Sequence, residues 1–410
     1  MKNWLKNKIK TLYPDTDFDI LIPPSSASPS RKATGLQSKA SESKPDLGDY
    51  SVNLAFVLAK KEKKNPKEVG ESLVSKFSQD KEFQKHFSKI ELAGGGFINF
   101  YLKNDFVVEK LGEIHGDKNY GFNETMKDKK VMVEYTDPNP FKLFHIGHLM
   151  SNTIGEAIAR LYEASGAKVL RVNYQGDVGL HVAKAIWVLK NKNADLNEAY
   201  TLGTKAYQDD PEAKLEIEEI NKKIYDRSDK EINELYDKNK KQSLEYFETI
   251  YKRLGTKFDY YFFESETAKE GLKIINDNKK IFTESEGALI FKGEDFGLHN
   301  RVFINSQGLP TYESKELGLN KEKFDKCKPD LSIIVTGNEI NDYFKVLLKV
   351  MELIMPQVAE KTRHIGHGML RLPSGKMSSR TGDVITAESL IEQTKRKLPE
   401  GESETKEKIA

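Results

Sequence analysis

Two histidines three residues apart, His145 and His148, lie in the segment TDPNPFKLFHIGHLMSN. This segment follows an apolar stretch and a proline-containing turn, and it opens a stretch with apolar residues at helical spacing. The first N–H groups of a helix and the positive end of its dipole bind phosphate oxygens. Both imidazoles lie on one side of such a helix start, and Gly147 lets a flat base or ribose approach the backbone. The segment therefore predicts a nucleotide phosphate site.

The same tetrapeptide returns at residues 364–367, in a different setting. This second copy follows a helix and runs into a strand, so its two histidines face different ways or lie in a turn. We therefore assign the phosphate role to the first copy and expect the second to be structural.

A Ser/Gly-rich loop, LPSGKMSSRTGD, carries Lys376 and Arg380 some 230 positions after the first tetrapeptide. Its glycines permit movement, and Ser378 and Ser379 add hydroxyl donors. Alone, such a loop is typical of a solvated turn. Together with a phosphate-binding helix start, it predicts mobile positive charge for a departing diphosphate.

The elements around the first tetrapeptide alternate as strand, helix and strand: KKVMVEYT from Lys129, LMSNTIGEAIARLYEASG from Leu149, and then AKVLRVNY. Three such elements in under about 50 residues form the unit of a doubly wound parallel sheet, with its crevice at the carboxyl end of the first strand. We expect an α/β fold in which charged helices of residues 182–263 form an insertion. Strands at GALIFKGED, NRVFINSQGLPTYES and PDLSIIVTGN, a helix over residues 342–360 and a strand from His367 follow.

The N-terminal part predicts a small α/β domain over residues 1–104, with a mobile Ser/Pro-rich loop at about residues 23–46. Residues 105–390 form the predicted catalytic domain, and residues 391–410 form a linker. The net charge of +2 excludes the strong positive excess of a generic nucleic-acid binder. A single cysteine, Cys327, excludes an internal disulfide and a multi-cysteine zinc site. We expect a cytoplasmic location, because the single cysteine indicates a reducing compartment. We expect no membrane segment, since the apolar runs are shorter than the roughly 20 residues that span a bilayer.

The tetrapeptide HIGH followed by KMSS resembles the signature pair of class I aminoacyl-tRNA synthetases, which have a HIGH-type Rossmann catalytic domain. Further segments narrow the resemblance to the arginyl-tRNA synthetase family over essentially the whole chain. They are GDYSVNLAFVLAKK, GGGFINFYL, VEYTDPNPFKLFHIGH, NYQGDVGLHVAK, YKRLGTKFDYYFFES, LPTYESKELGL and KMSSRTGD.

This resemblance implies that the protein activates L-arginine with ATP and transfers it to tRNA(Arg), with Mg²⁺ accompanying ATP and without zinc. It implies that His145 and His148 bind the phosphates and that Lys376 and Arg380 bind the leaving diphosphate. Ser379 stands where such signatures often have a second lysine, and Lys142 resembles the family's substitute. An exposed loop lysine is the alternative for Lys142. The remaining ATP-binding residues that it implies are Gly147, Gly337, Glu339, Met377 and Ser378.

For the amino acid, the resemblance implies contacts with Glu134, Asp137, Pro138, Asn139, His148, Tyr312 and Glu316. Carboxylates suit the five donors of a guanidinium, and a buried Glu134 needs a cationic partner that the ligand could supply. Tyr312 and Glu316 share one face of a helical turn, although the family usually has Asp at the second position. A surface pair of Glu316 with Lys315 or Lys321 is the alternative, and an ordinary Pro-Asn turn is the alternative for Asn139. Ile340 stands where the family often has Gln or His.

For the RNA, Phe97, Asn99 and Tyr101 alternate along GGGFINFYL, which puts an amide between two aromatic rings on one face. That face suits stacking on an unpaired base, and a half-buried edge strand is the alternative. The family's helical anticodon-binding domain would begin where this sequence stops, so we expect a monomer that is a fragment or pairs with a separate C-terminal part. Two other functions stay open: a nucleotidyltransferase of the same superfamily and a non-catalytic tRNA-binding paralogue.

Overall fold

The computed structural model describes residues 1–23, 47–192, 194–368, 385–399 and 403–409. It divides into two compact units, Met1–Tyr120 and Gly121–Ala410. The predicted loop at residues 23–46 lies, apart from its first residue, outside the described residues. The same holds for Lys376, Met377, Ser378 and Arg380.

The first unit packs five helices against a four-stranded antiparallel sheet. The helices are Lys2–Leu12 (α1), Leu54–Glu62 (α2), Pro66–Gln79 (α3), Lys81–His86 (α4) and Asn104–Gly116 (α5). The strands are Ile20–Leu21 (β1), Tyr50–Val52 (β2), Phe87–Ala93 (β3) and Phe97–Leu102 (β4), in the order β1-β2-β4-β3. Buried Phe77, Phe83 and Phe100 stack at its centre, and Asn65 and Asp80 cap α3 and α4. This unit is a small α/β fold, and it includes α5, which the sequence assigned to the catalytic domain.

The second unit has eight strands and eleven α-helices among its described residues. The strands are Lys130–Glu134 (β5), Lys168–Gln175 (β6), Tyr260–Phe263 (β7), Thr283–Ser285 (β8), Ala288–Phe291 (β9), Arg301–Ile304 (β10), Leu331–Gly337 (β11) and Thr362–His367 (β12). The first helices are Ile146–Ala164 (α6), Leu180–Asn191 (α7), Leu196–Asp209 (α8), Pro211–Asp226 (α9), Lys230–Leu254 (α10) and Glu264–Asp277 (α11). The later ones are Tyr312–Cys327 (α12), Asn341–Ile354 (α13), Pro356–Lys361 (α14), Ala387–Lys397 (α15) and Ser403–Ile409 (α16). Short 3-10 turns lie at Lys279–Ile281, Gly293–Phe296 and Asn338–Ile340.

Five strands of this unit form a parallel sheet in the order β12-β11-β5-β6-β7, with β5 at its centre. Residues Val131, Met132 and Val133 of β5 are fully buried, as expected for a strand covered on both faces. The chain runs from β5 to β6 and β7 on one side and then to β11 and β12 on the other. The sheet therefore has a switch point next to β5, where doubly wound folds bind ligands. The predicted fold class is confirmed.

The helical insertion consists of α7, α8, α9 and α10, which pack around a cluster that includes Trp187, Ile217 and Ile224. Asp210 and Asp229 cap α9 and α10 through their side chains. These apolar stripes and caps explain why the charged stretch folds as packed helices with solvated outer faces.

Several boundaries differ from those predicted from sequence. The segment Tyr260–Phe263, assigned to the insertion, is an edge strand of the parallel sheet. Strands β8, β9 and β10 form a separate antiparallel sheet. The second tetrapeptide forms the end of β12 instead of preceding a strand. Pro356, which has no N–H to donate, begins α14 and ends the helix predicted over residues 342–360 at Ile354. The predicted linker contains α16 and the end of α15.

Candidate active site

The helix α6 begins at the first tetrapeptide, and its two histidines cap it reciprocally. His145 Nδ1 accepts hydrogen bonds from the backbone N–H groups of Gly147, at 3.1 Å, and His148, at 3.4 Å. His148 Nδ1 accepts one from the backbone N–H of His145 at 3.2 Å. The two rings stack with their centroids 3.7 Å apart. The pair thus lies at the helix start, as the spacing predicted.

Both imidazoles are held neutral. Burial, with the positive charge of Lys142, lowers the pKa of His145 to about 4. Burial also lowers the pKa of His148 well below its usual value, with further contributions from His145 and Lys142. Because each Nδ1 accepts a hydrogen bond, each neutral ring carries its proton on Nε2. The rings can therefore each donate one N–H to a phosphate oxygen.

The turn between β5 and α6 has three non-glycine residues in the left-handed region: Thr136 (φ 79°), Asp137 (φ 47°) and Phe141 (φ 67°). The end of β6 holds this turn. The backbone N–H of Tyr174 donates to Asp137 Oδ1 at 2.8 Å, and that of Gly176 donates to Asn139 Oδ1 at 3.2 Å. Such backbone conformations cost about 1–3 kcal/mol each and persist where the surroundings impose them. The Asn139 amide is therefore fixed by tertiary contact, beyond what an ordinary turn requires.

An acidic cavity of about 580 Å³ lies at the carboxyl ends of β5, β6 and β11. Six carboxylates line it, from Glu134, Asp137, Glu264, Glu313, Glu316 and Glu339. Arg301 is the single basic residue among its described lining residues. Burial, with the nearby charge of Glu134, raises the pKa of the Asp137 carboxyl well above its usual value. Glu134 and Glu264 have lysine partners within the chain, whereas a cationic ligand would favour the ionised forms of Asp137 and Glu316.

The buried carboxylate of Glu134 has a cationic partner within the chain. Lys323 Nζ, on α12, lies 2.7 Å from Glu134 Oε2, and both side chains are almost completely buried. Glu134 therefore does not depend on a ligand for its counter-charge, which corrects the reasoning from sequence, although it does line the cavity.

Tyr312 and Glu316 lie one turn apart on α12, and both line the acidic cavity. The surface-pair alternative for Glu316 is wrong, because Glu316 is only 9% exposed and the two lysines have other partners. Lys315 pairs with Glu264, and Lys321 pairs with Asp325. Burial, with the charge of Glu134, raises the pKa of Glu316 to about 8.

The opposite wall of the cavity is formed after β11. A Cβ on Gly337 would come 2.5 Å from Glu339 Oε2, so this position requires a residue without a side chain unless the carboxylate moves. Glu339 is exposed at this wall, and Ile340 lines the cavity beside it with an apolar side chain.

Lys142 lies in the turn before α6, half-buried, with its ammonium 4.9 Å from the ring centre of Tyr200. It lines a second cavity, of about 810 Å³, between the insertion and the start of α12. Its charge lowers the pKa of both His145 and His148. The alternative of an exposed loop lysine is therefore wrong, and Lys142 supplies positive charge at the helix start.

The segment that carries Lys376 and Arg380 lies outside the described residues, but its two ends are fixed near α6. His367 Nε2 lies 2.7 Å from Ser151 Oγ. On the far side, the backbone N–H of Ile146 donates to Ile385 O at 3.1 Å, and that of Ala387 donates to Phe144 O at 3.1 Å. Both ends of the segment thus meet the helix that begins with the first tetrapeptide.

The histidines of the second tetrapeptide contact different helices, as the strand alternation predicts. His364 stacks on Phe344 of α13 with ring centroids 3.8 Å apart, and its Nε2 lies 2.7 Å from Thr336 Oγ1. His367 instead meets Ser151 of α6. Both histidines thus contact side chains of neighbouring elements within the second unit.

Sequence reasoning missed several residues at the cavity, notably Glu264, Glu313, Tyr343 and the buried Asp177 beside it. Glu264 begins α11, directly after the edge strand that sequence reasoning also missed. Asp177 follows β6 in the quoted stretch NYQGDVGLHVAK, and its position after a buried strand was the available signal.

On strand β4 of the first unit, the three residues proposed for RNA contact differ in exposure. Phe97 is 36% exposed, Asn99 is 2% exposed, and the Tyr101 hydroxyl donates to Glu91 Oε1. The predicted open face is therefore wrong at its centre, because the Asn99 amide is buried. Of the three side chains, that of Phe97 is the exposed one.

Comparison with known proteins decides the family. The model described as tRNA synthetases class I (R), catalytic domain, matches residues 111–409. The chain belongs to this family. A second model, the arginyl tRNA synthetase N terminal domain, matches residues 28–102. Among the described residues, no helix is long and apolar enough to cross a membrane.

Curated relatives include an arginine–tRNA ligase of Clostridium acetobutylicum, 30% identical over 87% of this chain and 64% of its own length. The arginine–tRNA ligase of Treponema denticola is 29% identical over 85% of this chain and 62% of its length. The chain thus spans less than two thirds of these relatives. Arginyl-tRNA synthetase structures share the fold. That of Thermus thermophilus has a TM-score of 0.59 at 21% identity, covering 90% of this chain and 68% of its own. That of Plasmodium falciparum has a TM-score of 0.59 at 20% identity, covering 96% and 66%.

Proposed function

We propose that this protein activates L-arginine with ATP and transfers the arginyl group to the 3′ end of tRNA(Arg). One observation carries the proposal: the turn between β5 and α6 contributes Asp137 and Asn139 to a cavity lined by six carboxyl groups, and the same turn leads into a helix start that carries two neutral imidazoles. A cationic amino acid and a nucleotide phosphate are the ligands that these adjacent environments favour.

In the first step, an oxygen of the arginine carboxylate attacks the α-phosphorus of ATP. A new P–O bond forms while the bond to the leaving diphosphate breaks, and negative charge grows on the equatorial and leaving oxygens. The Nε2–H groups of His145 and His148 donate to these oxygens, and Lys142 adds positive charge. Fixed donors of this kind stabilise the transition state without forming a covalent enzyme intermediate.

Lys376 and Arg380 complete the phosphate site in this proposal by binding the leaving diphosphate. The support is the attachment of both described ends of their segment to α6, through His367 on one side and Ile385 and Ala387 on the other. Gly147, Gly337, Glu339, Met377 and Ser378 bind the remainder of ATP by resemblance to the family.

The arginine side chain lies in the acidic cavity in this proposal, with Glu134, Glu316 and Tyr312 around it. Asn139, Asp137, Pro138 and His148 face the polar end of the amino acid. The support for Asp137 and Asn139 is their position: both lie in the turn that precedes α6, both line the cavity, and the end of β6 holds both. A carboxylate ionises more readily beside a guanidinium, so arginine binding favours the charged form of Glu316.

In the second step, a hydroxyl of the terminal ribose of tRNA attacks the arginyl carbonyl and AMP leaves. Phe97 offers an exposed ring for stacking on an unpaired base, whereas Asn99 would have to become accessible before it could contact one. We propose that the protein acts as a monomer.

Mg²⁺ enters this proposal with the nucleotide. Among the described residues, no group of three His, Cys, Asp or Glu side chains could hold a metal ion. Mg²⁺ in nucleotide sites is commonly held by phosphates, water and few protein ligands. The ion supplies additional positive charge at the phosphates.

The experiment that tests the function is arginine-dependent exchange between ATP and labelled diphosphate, measured with and without cognate tRNA. We expect exchange with arginine and none with lysine, with the other proteinogenic amino acids or with the uncharged analogue citrulline. Exchange that requires a different carboxylic substrate would favour a nucleotidyltransferase of the same superfamily. Absence of exchange under all conditions, with tRNA binding retained, would favour a non-catalytic tRNA-binding protein.

A further inference from the structure

A buried carboxylate outside the acidic cavity joins three elements of the second unit. Asp177 lies just after β6 and is fully buried. Its Oδ2 accepts hydrogen bonds from the Tyr236 hydroxyl at 2.7 Å, from Lys240 Nζ at 2.6 Å and from the Ser265 hydroxyl at 2.7 Å. Its Oδ1 accepts one from the backbone N–H of Ser265 at 2.9 Å. The first two partners belong to α10 of the insertion, and Ser265 belongs to α11.

The contact with Ser265 acts as a helix cap supplied from a distant part of the chain. Helix α11 begins at Glu264, and its N-cap residue, Phe263, makes no side-chain capping hydrogen bond. The first N–H groups of a helix need acceptors, and negative charge is favourable at this end. Asp177 supplies both, from 88 positions earlier in the sequence.

The residue that this cap places is Glu264, which lines the acidic cavity. Glu264 is 3% exposed, and its Oε2 lies 2.7 Å from Lys315 Nζ on α12. On the other side, a Cβ on Gly176 would come 3.0 Å from Glu264 Oε1, so the carboxylate lies against the backbone that precedes Asp177. A shift of the α11 start would therefore move this carboxylate relative to the cavity.

Charge balance shows why Asp177 holds this position firmly. Lys240 is its ionic partner, and the Lys240 ammonium also lies 3.9 Å from the ring centre of Phe263, the last residue of β7. The carboxylate thus fixes the junction between β7 and α11 from two directions. A buried, fully hydrogen-bonded charge of this kind resists displacement because any movement leaves a charge without a partner.

We propose that Asp177 is a positioning residue for the substrate cavity, which fixes the start of α11 and thereby the carboxylate of Glu264. The expected effect of Asp177 on arginine binding rests on the proposed function. The expected effect of Asp177 on the start of α11 is independent of the proposed function. Asp177 touches no substrate in this role. It ties the insertion helix α10 to the wall of the cavity, so the geometry of the cavity depends on the docking of the insertion.

The test replaces Asp177 by Asn, which keeps the shape and removes the charge. Asp177→Asn should raise the KM for arginine in the exchange reaction by about 10-fold to 10²-fold, since displacement of a contact by about 1 Å has effects of this order. The KM for ATP should change by less than about 2-fold. Ser265→Ala, which removes one donor to Oδ2, should raise the arginine KM in the same direction by a smaller factor.

Asp229→Asn is the control, because Asp229 also caps a helix and has a lysine partner, although its side chain is partly exposed. It accepts a hydrogen bond from the Ile232 N–H at the start of α10 and pairs with Lys223 at 3.2 Å. It does not line the acidic cavity. This control should leave the arginine KM unchanged, which separates positioning of the cavity from a general loss of stability.

Hydrogen exchange gives a second readout that needs no activity. Asp177→Asn should increase exchange of the amides in the first turn of α11, and Asp229→Asn should not. A double-mutant cycle with Glu264→Gln should be non-additive in the arginine KM. Unchanged α11 protection, or equal rises in the KM for ATP and arginine, would overturn the inference. If the unaltered protein lacks arginine-dependent exchange, the proposed function fails, and hydrogen exchange still decides whether Asp177 fixes α11.

Discussion

Lys323 Nζ lies 2.7 Å from Glu134 Oε2, and this buried ion pair joins the central strand β5 to the helix α12 beneath the acidic cavity. The two residues are 189 positions apart in sequence. Removing one member of a buried pair leaves the other without a partner in a medium that solvates charge poorly.

We therefore expect Lys323→Met to lower the free energy of unfolding by about 3–5 kcal/mol, and Glu134→Gln to lower it in the same direction. The double variant should lose less than the sum of the two single losses, because neither charge then remains unpaired. Chemical denaturation of the three variants measures this difference. Strictly additive losses would mean that the Lys323 and Glu134 side chains have no interaction energy with each other. Glu134→Gln should also weaken arginine binding more than ATP binding.

Glu316 has a pKa raised to about 8 by burial and the nearby charge of Glu134, so it is largely protonated in the free protein at neutral pH. Arginine binding should favour its ionised form and release a proton. We expect the affinity for arginine to rise as the pH increases from 6 to 8, and Glu316→Gln to flatten this dependence. Calorimetry in buffers of different ionisation enthalpy measures the released proton.

The raised pKa of Glu316 also makes the stability of the ligand-free protein depend on pH. The folded state binds a proton at Glu316 between its unfolded pKa, near 4.5, and about 8, whereas the unfolded state does not. The contribution of Glu316 to the free energy of unfolding therefore decreases as the pH rises from about 4.5 to about 8. A pH-independent difference in stability between the protein and Glu316→Gln would contradict this assignment.

Burial and the charge of Lys142 lower the pKa of His145 to about 4 in the folded state. Between about pH 6.5 and pH 4, the unfolded state therefore binds a proton at this residue, whereas the folded state does not. Its contribution to stability is present above pH 6.5 and is lost as the pH falls through that range. His145→Asn retains a capping side chain. We expect this variant to be less sensitive to acid, as measured by denaturation at pH 5 and pH 7.

His148 and His367 provide a comparison between the two tetrapeptides. His148→Ala removes a phosphate donor and should reduce adenylate formation by about 10²-fold or more. His367→Ala removes a hydrogen bond to Ser151 and should mainly lower stability, by about 1 kcal/mol, with Ser151→Ala producing a similar loss. Single-turnover rates and thermal unfolding measure the two effects. Equal kinetic losses in His148→Ala and His367→Ala would show that the second copy also takes part in the chemistry.

The features that could be predicted from the sequence are those that depend on neighbouring residues. The capping of α6 by His145 and His148 depends on residues within three positions of each other. The buried strand β5 likewise follows from local periodicity. The stretch NRVFINSQGLPTYES was predicted as a strand, but the strand ends at Ile304 and Tyr312 begins helix α12. The family resemblance supplied the roles predicted for these residues, and the family comparison confirms the family itself.

The features that could not be predicted from the sequence depend on which distant elements pack together. The four-residue strand β7 carries no alternation of its own, and its pairing with β6 makes it part of the sheet. The partner of Glu134 is Lys323, the partner of Glu264 is Lys315, and the cap of α11 is Asp177. Similar charged residues occur throughout the chain, and only the packed fold brings these particular ones together in places where water is excluded. Local sequence thus determined the helix start that carries the two histidines, whereas the tertiary structure decided which charged groups meet in the acidic cavity.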